Sequence, residues 1–437
     1  MSKQKKQPLT KAQKNARGRL ALYIILTIIL LLALVAGVFA VLNTESTNAL
    51  MDLANKFHAV QYAEGTQLVP TKDADGDWCF VTDDDFRIVQ ITDVHIGSGI
   101  FSAKTDRWAM NAVANMITAE KPDLVIVTGD AAYPVPFSSG TFNNYNAANV
   151  FATMMEKLGV YWTFGFGNHD TEAYSYFSRD DIDKMYSEFA AKEGSHCLYQ
   201  SAAGIFGKGN QIIKVKNSQN IVTQAITVFD SNSYTDGDVF GVMWKYDNIH
   251  QDQIDWYAAK MKKINEANHA IDPDAPQTKN LMFFHIALPE YREAWKELVY
   301  ADVNKDVKDG NYNPTENVTY KYGVMGESEG MNPLANNGST YGIFCGIHDD
   351  NVFETGVENG LQGVFIGHDH LNNFSIEYKG VRLTYGMSID YLAYPGIWKQ
   401  RAQRGCTLVT VHTDGSFDCC NSSYYQDKYK PNDESIA

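Results

Sequence analysis

Five short apolar runs in this chain each end in a cluster of aspartate, asparagine or histidine. Phe86–Ile91 (FRIVQI) leads into Thr92-Asp93-Val94-His95, Leu124–Thr128 (LVIVT) into Gly129-Asp130, and Val160–Phe164 (VYWTF) into Gly167-Asn168-His169-Asp170. Leu281–Phe284 (LMFF) precedes His285, and the run GVFI precedes Gly367-His368-Asp369-His370. Runs this short, rich in β-branched and aromatic residues, predict strands buried on both faces. Between them, Arg107–Glu120 places Trp108, Val113, Met116 and Ile117 at helical spacing and stops at Lys121-Pro122; Ala147–Leu158 and Ile249–Ala270 also predict helices. Strands alternating with helices give an α/β domain, whose ligands bind beyond the carboxyl ends of the strands. All five polar clusters fall at that edge.

The donor types there suit metal ions. Asp93, His95, Asp130, Asn168, His285, His368 and His370 supply two carboxylates, one amide oxygen and four imidazoles. That is enough for two ions with four protein ligands each if one carboxylate bridges. The mixed nitrogen and oxygen set, without thiolate, favours iron, zinc or manganese over calcium or magnesium, so two divalent or mixed-valence transition metal ions are expected. The other six histidines (His58, His196, His250, His269, His348 and His412) lie outside these motifs and are read as structural.

In order, D-x-H, G-D, G-N-H-D, a lone H and G-H-x-H, this set resembles the calcineurin-like metallophosphoesterase superfamily, over about residues 85–413. The resemblance implies a four-layer α/β/β/α sandwich with two metals at one end of its sheets. It implies that Asp93, His95 and His370 hold the first metal, that Asn168, His285 and His368 hold the second, and that Asp130 bridges. His169 becomes the catalytic histidine, oriented by Asp170. The wording of Phe283–Tyr291 (FFHIALPEY) is most similar to the purple acid phosphatase branch and its relatives. That branch has glycine where this chain has His95, and its iron-binding tyrosine falls at Tyr133. The two side chains would compete for one coordination position, and the expectation is that His95 takes it, leaving Tyr133 a pocket residue and the enzyme colourless. The implied activity is hydrolysis of a phosphate ester by water activated between the metals, a phosphomonoester being the simplest substrate. The alternatives are a phosphodiesterase or pyrophosphatase of the same fold, or a non-catalytic metal-binding surface protein.

Ahead of the domain, Leu20–Leu42 forms an uninterrupted apolar run of 23 residues, about 34 Å as a helix and long enough to span a bilayer. Seven lysines and arginines and no acid occupy residues 1–42, and all seven precede the run, which places the amino terminus in the cytosol and the rest outside. A signal peptide cut after Ala40 and a secreted product is the rival, but signal cores usually run only about 7–15 residues, so an uncleaved anchor is favoured. The remaining 30 bases face 52 acids, so residues 43–437 carry about −22, which argues against a duplex nucleic-acid partner. The expected organisation is a basic cytosolic tail (1–19), a transmembrane anchor or signal segment (20–42), a stalk and lead-in segment (43–84), the metallophosphoesterase domain (85–420) and a polar tail (421–437). Residues 311–346, rich in Asn and Gly, are read as an inserted loop, and 373–413 as largely antiparallel strands. The partners expected are a phosphate-ester substrate and, through residues 20–42, the membrane. The six cysteines match no zinc spacing, and no pairing is assigned.

Overall fold

The computed structural model describes residues 10–235, 238, 245–307, 310–323, 342–348 and 351–431. Two sheets face each other. One has five strands in the order β14 (Phe417–Ser423), β13 (Gly405–Val411), β3 (Phe86–Ile91), β4 (Leu124–Thr128) and β5 (Trp162–Gly165). The other has nine, in the order β1 (Thr71–Lys72), β2 (Trp78–Val81), β6 (Gln211–Lys216), β7 (Val222–Val228), β8 (Lys279–Phe283), β10 (Leu361–Ile366), β12 (Val381–Tyr385), β11 (Ser375–Tyr378) and β9 (Val318–Tyr322). The central strands run parallel, β3 with β4 and β5, and β7 with β8, β10 and β12. Their carboxyl ends therefore share an edge.

The period of two along each strand divides the apolar side chains between layers. Val89, Ile91, Val125 and Val127 pack against helices α2 (Ala103–Glu120), α4 (Asn144–Leu158) and α5 (Arg179–Ala190). Their neighbours Phe86, Ile88, Leu124 and Ile126 face the opposite sheet, meeting Ile226, Val228, Leu281, Phe283 and Phe365. On the far side of the nine-stranded sheet, Met282, Val364 and Ile366 join residues of α6 (Gln251–Ile271), α7 (Pro289–Tyr300) and α8 (Val352–Glu358). Three apolar cores separate four layers, the α/β/β/α arrangement expected. Gln90 ties the layers at the site edge, its amide donating to Thr128 Oγ1 at 2.9 Å and to the Ile366 carbonyl at 3.0 Å.

Several boundaries differ from expectation. The first helix, α1, runs unbroken from Lys11 to Ala54, so the apolar run continues straight into the domain. Residues 43–84 are no free stalk: Leu50 and Ala54 are buried in the core, and β1 and β2 extend the nine-stranded sheet. The face that docks carries Asn43, Ser46 and Thr47 beside Leu50 and Ala54, so it is largely polar and gives no apolar stripe to read from the sequence. The domain does not stop at residue 420 either, since β14 crosses it and Tyr424 and Tyr429 are buried beyond it. Within 311–346, Val318–Tyr322 is an edge strand rather than loop, and residues 324–341 lie outside those described. The 373–413 strands divide between the two sheets, separated by an irregular segment at 386–404. All six cysteines are free thiols.

Candidate metal centre

The seven donors meet at the shared strand edge, each on the turn that follows a central strand. Those turns are sharp. Asp93, His95, Asp130 and His368 all adopt left-handed backbone with φ of 52°, 54°, 52° and 76°. Such conformations cost about 1–3 kcal/mol each and concentrate at functional sites. The glycines beside them let backbone approach backbone: a Cβ on Gly167 would lie 2.1 Å from Asp130 Oδ1, and one on Gly367 would lie 1.9 Å from Thr92 Oγ1.

The imidazoles form two pairs. His95 and His370 lie 4.6 Å apart between ring centroids, and His285 and His368 lie 5.1 Å apart. Asp130 Oδ2 sits between the pairs, 3.4 Å from His95 Nε2 and 3.1 Å from His285 Nε2. Its other oxygen accepts the His169 backbone N–H at 2.8 Å. Asp93 Oδ1 lies 3.3 Å from His370 Nε2, while Oδ2 accepts from the Thr92 hydroxyl at 2.8 Å. Asp93, His95, Asp130 and His370 each bring one donor atom within 4.8 Å of the others.

Hydrogen bonds behind the donors turn their lone pairs inward. His285 Nδ1 faces the Thr128 carbonyl at 2.8 Å, which makes Nδ1 the protonated nitrogen and leaves Nε2 with a lone pair. Asn168 Nδ2 donates to the Tyr234 hydroxyl at 2.9 Å, so Oδ1 points the other way. Among the described residues, Asp93 Oδ1, Asn168 Oδ1 and His285 Nε2 are buried and make no hydrogen bond. Buried orphan acceptors cost free energy unless something binds them. Three of them, converging among imidazoles and carboxylates, fit a pair of transition metal ions.

Two carboxylates in the site carry no motif. Asp390 lies fully buried with Oδ1 3.1 Å from His95 Nδ1 and Oδ2 3.0 Å from His370 Nδ1. Burial opposes its charge, but the two imidazoles hold its carboxyl well below the usual carboxylate range. At His95, burial opposes the charge, but Asp390 and Asp130 outweigh it and lift the pKa to about 9. Arg404, itself buried, fixes the segment carrying Asp390 by donating to the carbonyls of Ile389 and Asp390 at 3.0 and 2.7 Å. Sequence reasoning missed Asp390 because it lies in an irregular segment with no neighbouring histidine or glycine motif.

The second is Glu172. His169 Nδ1 lies 2.8 Å from Glu172 Oε1, and that oxygen accepts from the Tyr234 hydroxyl at 3.0 Å. Asp170, expected to orient His169, instead accepts the backbone N–H groups of Asp130, Gly167 and Ala132 at 2.8, 2.8 and 3.0 Å. Burial and the charge of Asp130 raise its pKa to about 6. Its carboxylate thus shapes the turns that hold the ligands. Asp170 is the middle residue of the short helical turn His169–Thr171.

Tyr133 lies against the rings of His95 and His169 at 4.6 and 4.8 Å, and its hydroxyl donates to the Ala393 carbonyl at 3.4 Å. Burial, with the charge of Asp390, raises its pKa above the ordinary phenol value, which disfavours a tyrosinate. A second acidic cluster, Asp73, Asp75 and Asp77, is neutralised by Lys214, Lys260 and Lys263.

Comparison with known proteins agrees with this architecture. The chain is 27% identical over 347 residues to "Probable inactive purple acid phosphatase 28" of Arabidopsis thaliana, covering 74% of this chain and 75% of that one. It is 28% identical over 348 residues to "Probable inactive purple acid phosphatase 14" of the same plant, with coverage of 74% and 75%. "Phosphatase DCR2" of Saccharomyces cerevisiae is 25% identical over 269 residues, covering 57% of this chain and 41% of that protein. The calcineurin-like phosphoesterase profile matches residues 86–372, which span the motifs from Asp93 to His370, and the chain belongs to that family.

Proposed function

We propose that this protein is a dinuclear metal-dependent phosphoesterase, most simply a phosphomonoesterase, held outside the cytoplasmic membrane by residues 20–42. The observation that carries this reading is the buried cluster of Asp93, His95, Asp130 and His370, whose donor atoms lie within 4.8 Å of one another, together with the buried acceptors Asp93 Oδ1, Asn168 Oδ1 and His285 Nε2 that make no hydrogen bond. Asp93, His95 and His370 would hold one metal, Asn168, His285 and His368 the other, with Asp130 between them. When bound, two such ions lower the pKa of a shared water and neutralise phosphoryl oxygens. His169 stands at the open side of this group, its side chain 23% exposed, where a leaving alkoxide would depart. It protonates that oxygen or hydrogen-bonds to the transition state, a contribution of about 10²–10⁴-fold. Glu172 holds the ring, and Tyr234 links it to Asn168, so one hydrogen-bond chain positions ligand and acid together.

The word inactive in the names of two relatives supports a second reading, a metal-binding protein without turnover. Metal content and hydrolysis of p-nitrophenyl and bis-p-nitrophenyl phosphate, measured on wild type and His169→Ala, separate the two. Two metals with histidine-dependent turnover support the enzyme, and the ratio of rates sorts monoester from diester preference. Two metals with no turnover on any ester support the second reading. Failure to bind metal overturns both.

A further inference from the structure

We propose that the domain rests on the bilayer through an apolar knob formed by Ile100, Phe101 and Phe137, and that its substrates are lipid phosphomonoesters of that membrane. This rests on reading residues 20–42 as a span and the centre as a phosphoesterase. Phe39 lies within the apolar run, three residues before Leu42, and its ring meets Phe101 edge to face at 6.0 Å. At about 1.5 Å per residue, Phe39 sits roughly 5 Å inside the end of the span. Phe101 therefore touches α1 at the level of the lipid interface, not above it. Phe101 is 55% exposed and Phe137 94% exposed, an apolar surface that water would leave uncompensated and lipid would cover.

The knob is fixed to the helix. Asn43, the first residue after the run, donates to the Gly140 carbonyl at 2.8 Å and accepts the Ile100 N–H at 3.0 Å. Gly140 closes the one-turn helix α3 (Pro136–Ser139) that carries Phe137, and a Cβ there would lie 3.1 Å from the Phe101 ring. Ser46 and Thr47 donate to the carbonyls of Gly99 and Ser98 at 2.9 and 3.0 Å. A hinged stalk would let the domain drift from the bilayer; this joint does not. With residues 43–437 carrying about −22, the contact is made by apolar insertion and not by attraction to anionic lipid.

The centre lies close behind the knob. Ile100 is five residues from His95 and Phe137 four from Tyr133, so chain length bounds these separations at about 18 and 14 Å. The open side of His169 is walled by Tyr133, and Tyr174 follows Glu172, the partner of the His169 ring, by two residues. Tyr174 meets Phe142 at 6.3 Å, and Phe142 stacks on Tyr176 at 5.7 Å. Phe142 is two residues beyond Gly140. An aromatic wall thus leads from His169 to the point where α1 enters the domain, which suits a phosphate whose apolar tail stays in the bilayer.

The test uses the full chain in phosphatidylcholine vesicles with or without brominated acyl chains. Phe101→Trp and Phe137→Trp should add blue-shifted fluorescence that bromine quenches, whereas Tyr300→Trp, at an exposed position on α7, should add fluorescence that it does not. A Trp at 137 that emits as in water and escapes quenching overturns the seat. Turnover is then compared on long-chain phosphatidic acid in the vesicles and on soluble dibutyryl phosphatidic acid. Phe101→Ser/Phe137→Ser should lose activity several-fold on the first and keep it on the second. Phe137→Ser alone repeats the measurement at a position too exposed for the fold to depend on it. Equal effects on both substrates, or hydrolysis of p-nitrophenyl phosphate with neither phosphatidate accepted, overturn the lipid assignment. If no ester at all is hydrolysed, the phosphoesterase reading fails, while quenching still reports the seat.

Discussion

Replacing Asp390 by Asn tests the design of the centre through a residue that touches no substrate. The carboxylate serves two imidazoles at once, Oδ1 toward His95 Nδ1 and Oδ2 toward His370 Nδ1. Oδ1 also accepts the backbone N–H groups of Leu392 and Ala393 at 2.6 and 2.9 Å, so an asparagine keeps its oxygen there and turns its NH2 toward His370. An NH2 group cannot accept from an imidazole N–H. His370 must then take the other tautomer, with its proton on Nε2, and it loses the lone pair facing Asp93. Each charge-assisted bond to a buried imidazole is worth about 1.5–3 kcal/mol. Losing one of the two, and with it one ligand of the first metal, should weaken that metal about 10–100-fold, or roughly 1.4–2.7 kcal/mol. Competition with a chelator measures the affinity, and nitrogen NMR of the metal-free protein reads the tautomer. Wild-type affinity to within about twofold, with His370 still protonated on Nδ1, would refute the reasoning.

Other perturbations probe separate parts of the same network. Glu172→Gln should lower turnover and shift its pH profile while leaving metal content unchanged, with a smaller loss than the ~10²–10⁴-fold expected for His169→Ala; an unchanged profile would show that Glu172 does not position the histidine. Gly167→Ala drives a methyl into Asp130 Oδ1, so metal content should fall with a stability loss of about 1–3 kcal/mol, and a variant that retains both metals would contradict the bridging role. Burial raises the pKa of Asp106 from 3.8 to about 7, against the pull of the Gly97 and Ser98 N–H groups and the Ser102 hydroxyl. The folded state then holds a proton that the unfolded chain has released. Stability from this group is complete below about pH 4 and lost as pH rises toward 7. Denaturant melts of wild type and Asp106→Asn should therefore converge or cross over that window, and a constant difference would disprove the shift.

Much of the site was legible because its ligands follow directly from strands whose period and length are local properties. Asp93, His95, Asp130, Asn168, His285, His368 and His370 each lie within four residues of an apolar run, and β-structure delivers them to one edge. Glu172 and Asp390 were not. Glu172 reaches His169 only through the helical turn at His169–Thr171, and the D after H in the motif drew attention to Asp170 instead. Asp390 depends on Arg404, fourteen residues away and buried, gathering carbonyls of an irregular segment.

The central strands, the donor types, the apolar run of Leu20–Leu42 and the sign of charge on either side of it are written in residues close along the chain, whereas the edge strands Thr71–Lys72, Trp78–Val81 and Val318–Tyr322 form only by pairing with distant partners. Which carboxylate faces which histidine, and the entry of α1 into the domain without a stalk, come from long-range packing. Those facts rest on contacts such as Asn43 with Gly140, 97 residues apart, and on burial that makes an unpaired donor costly enough to select its partner.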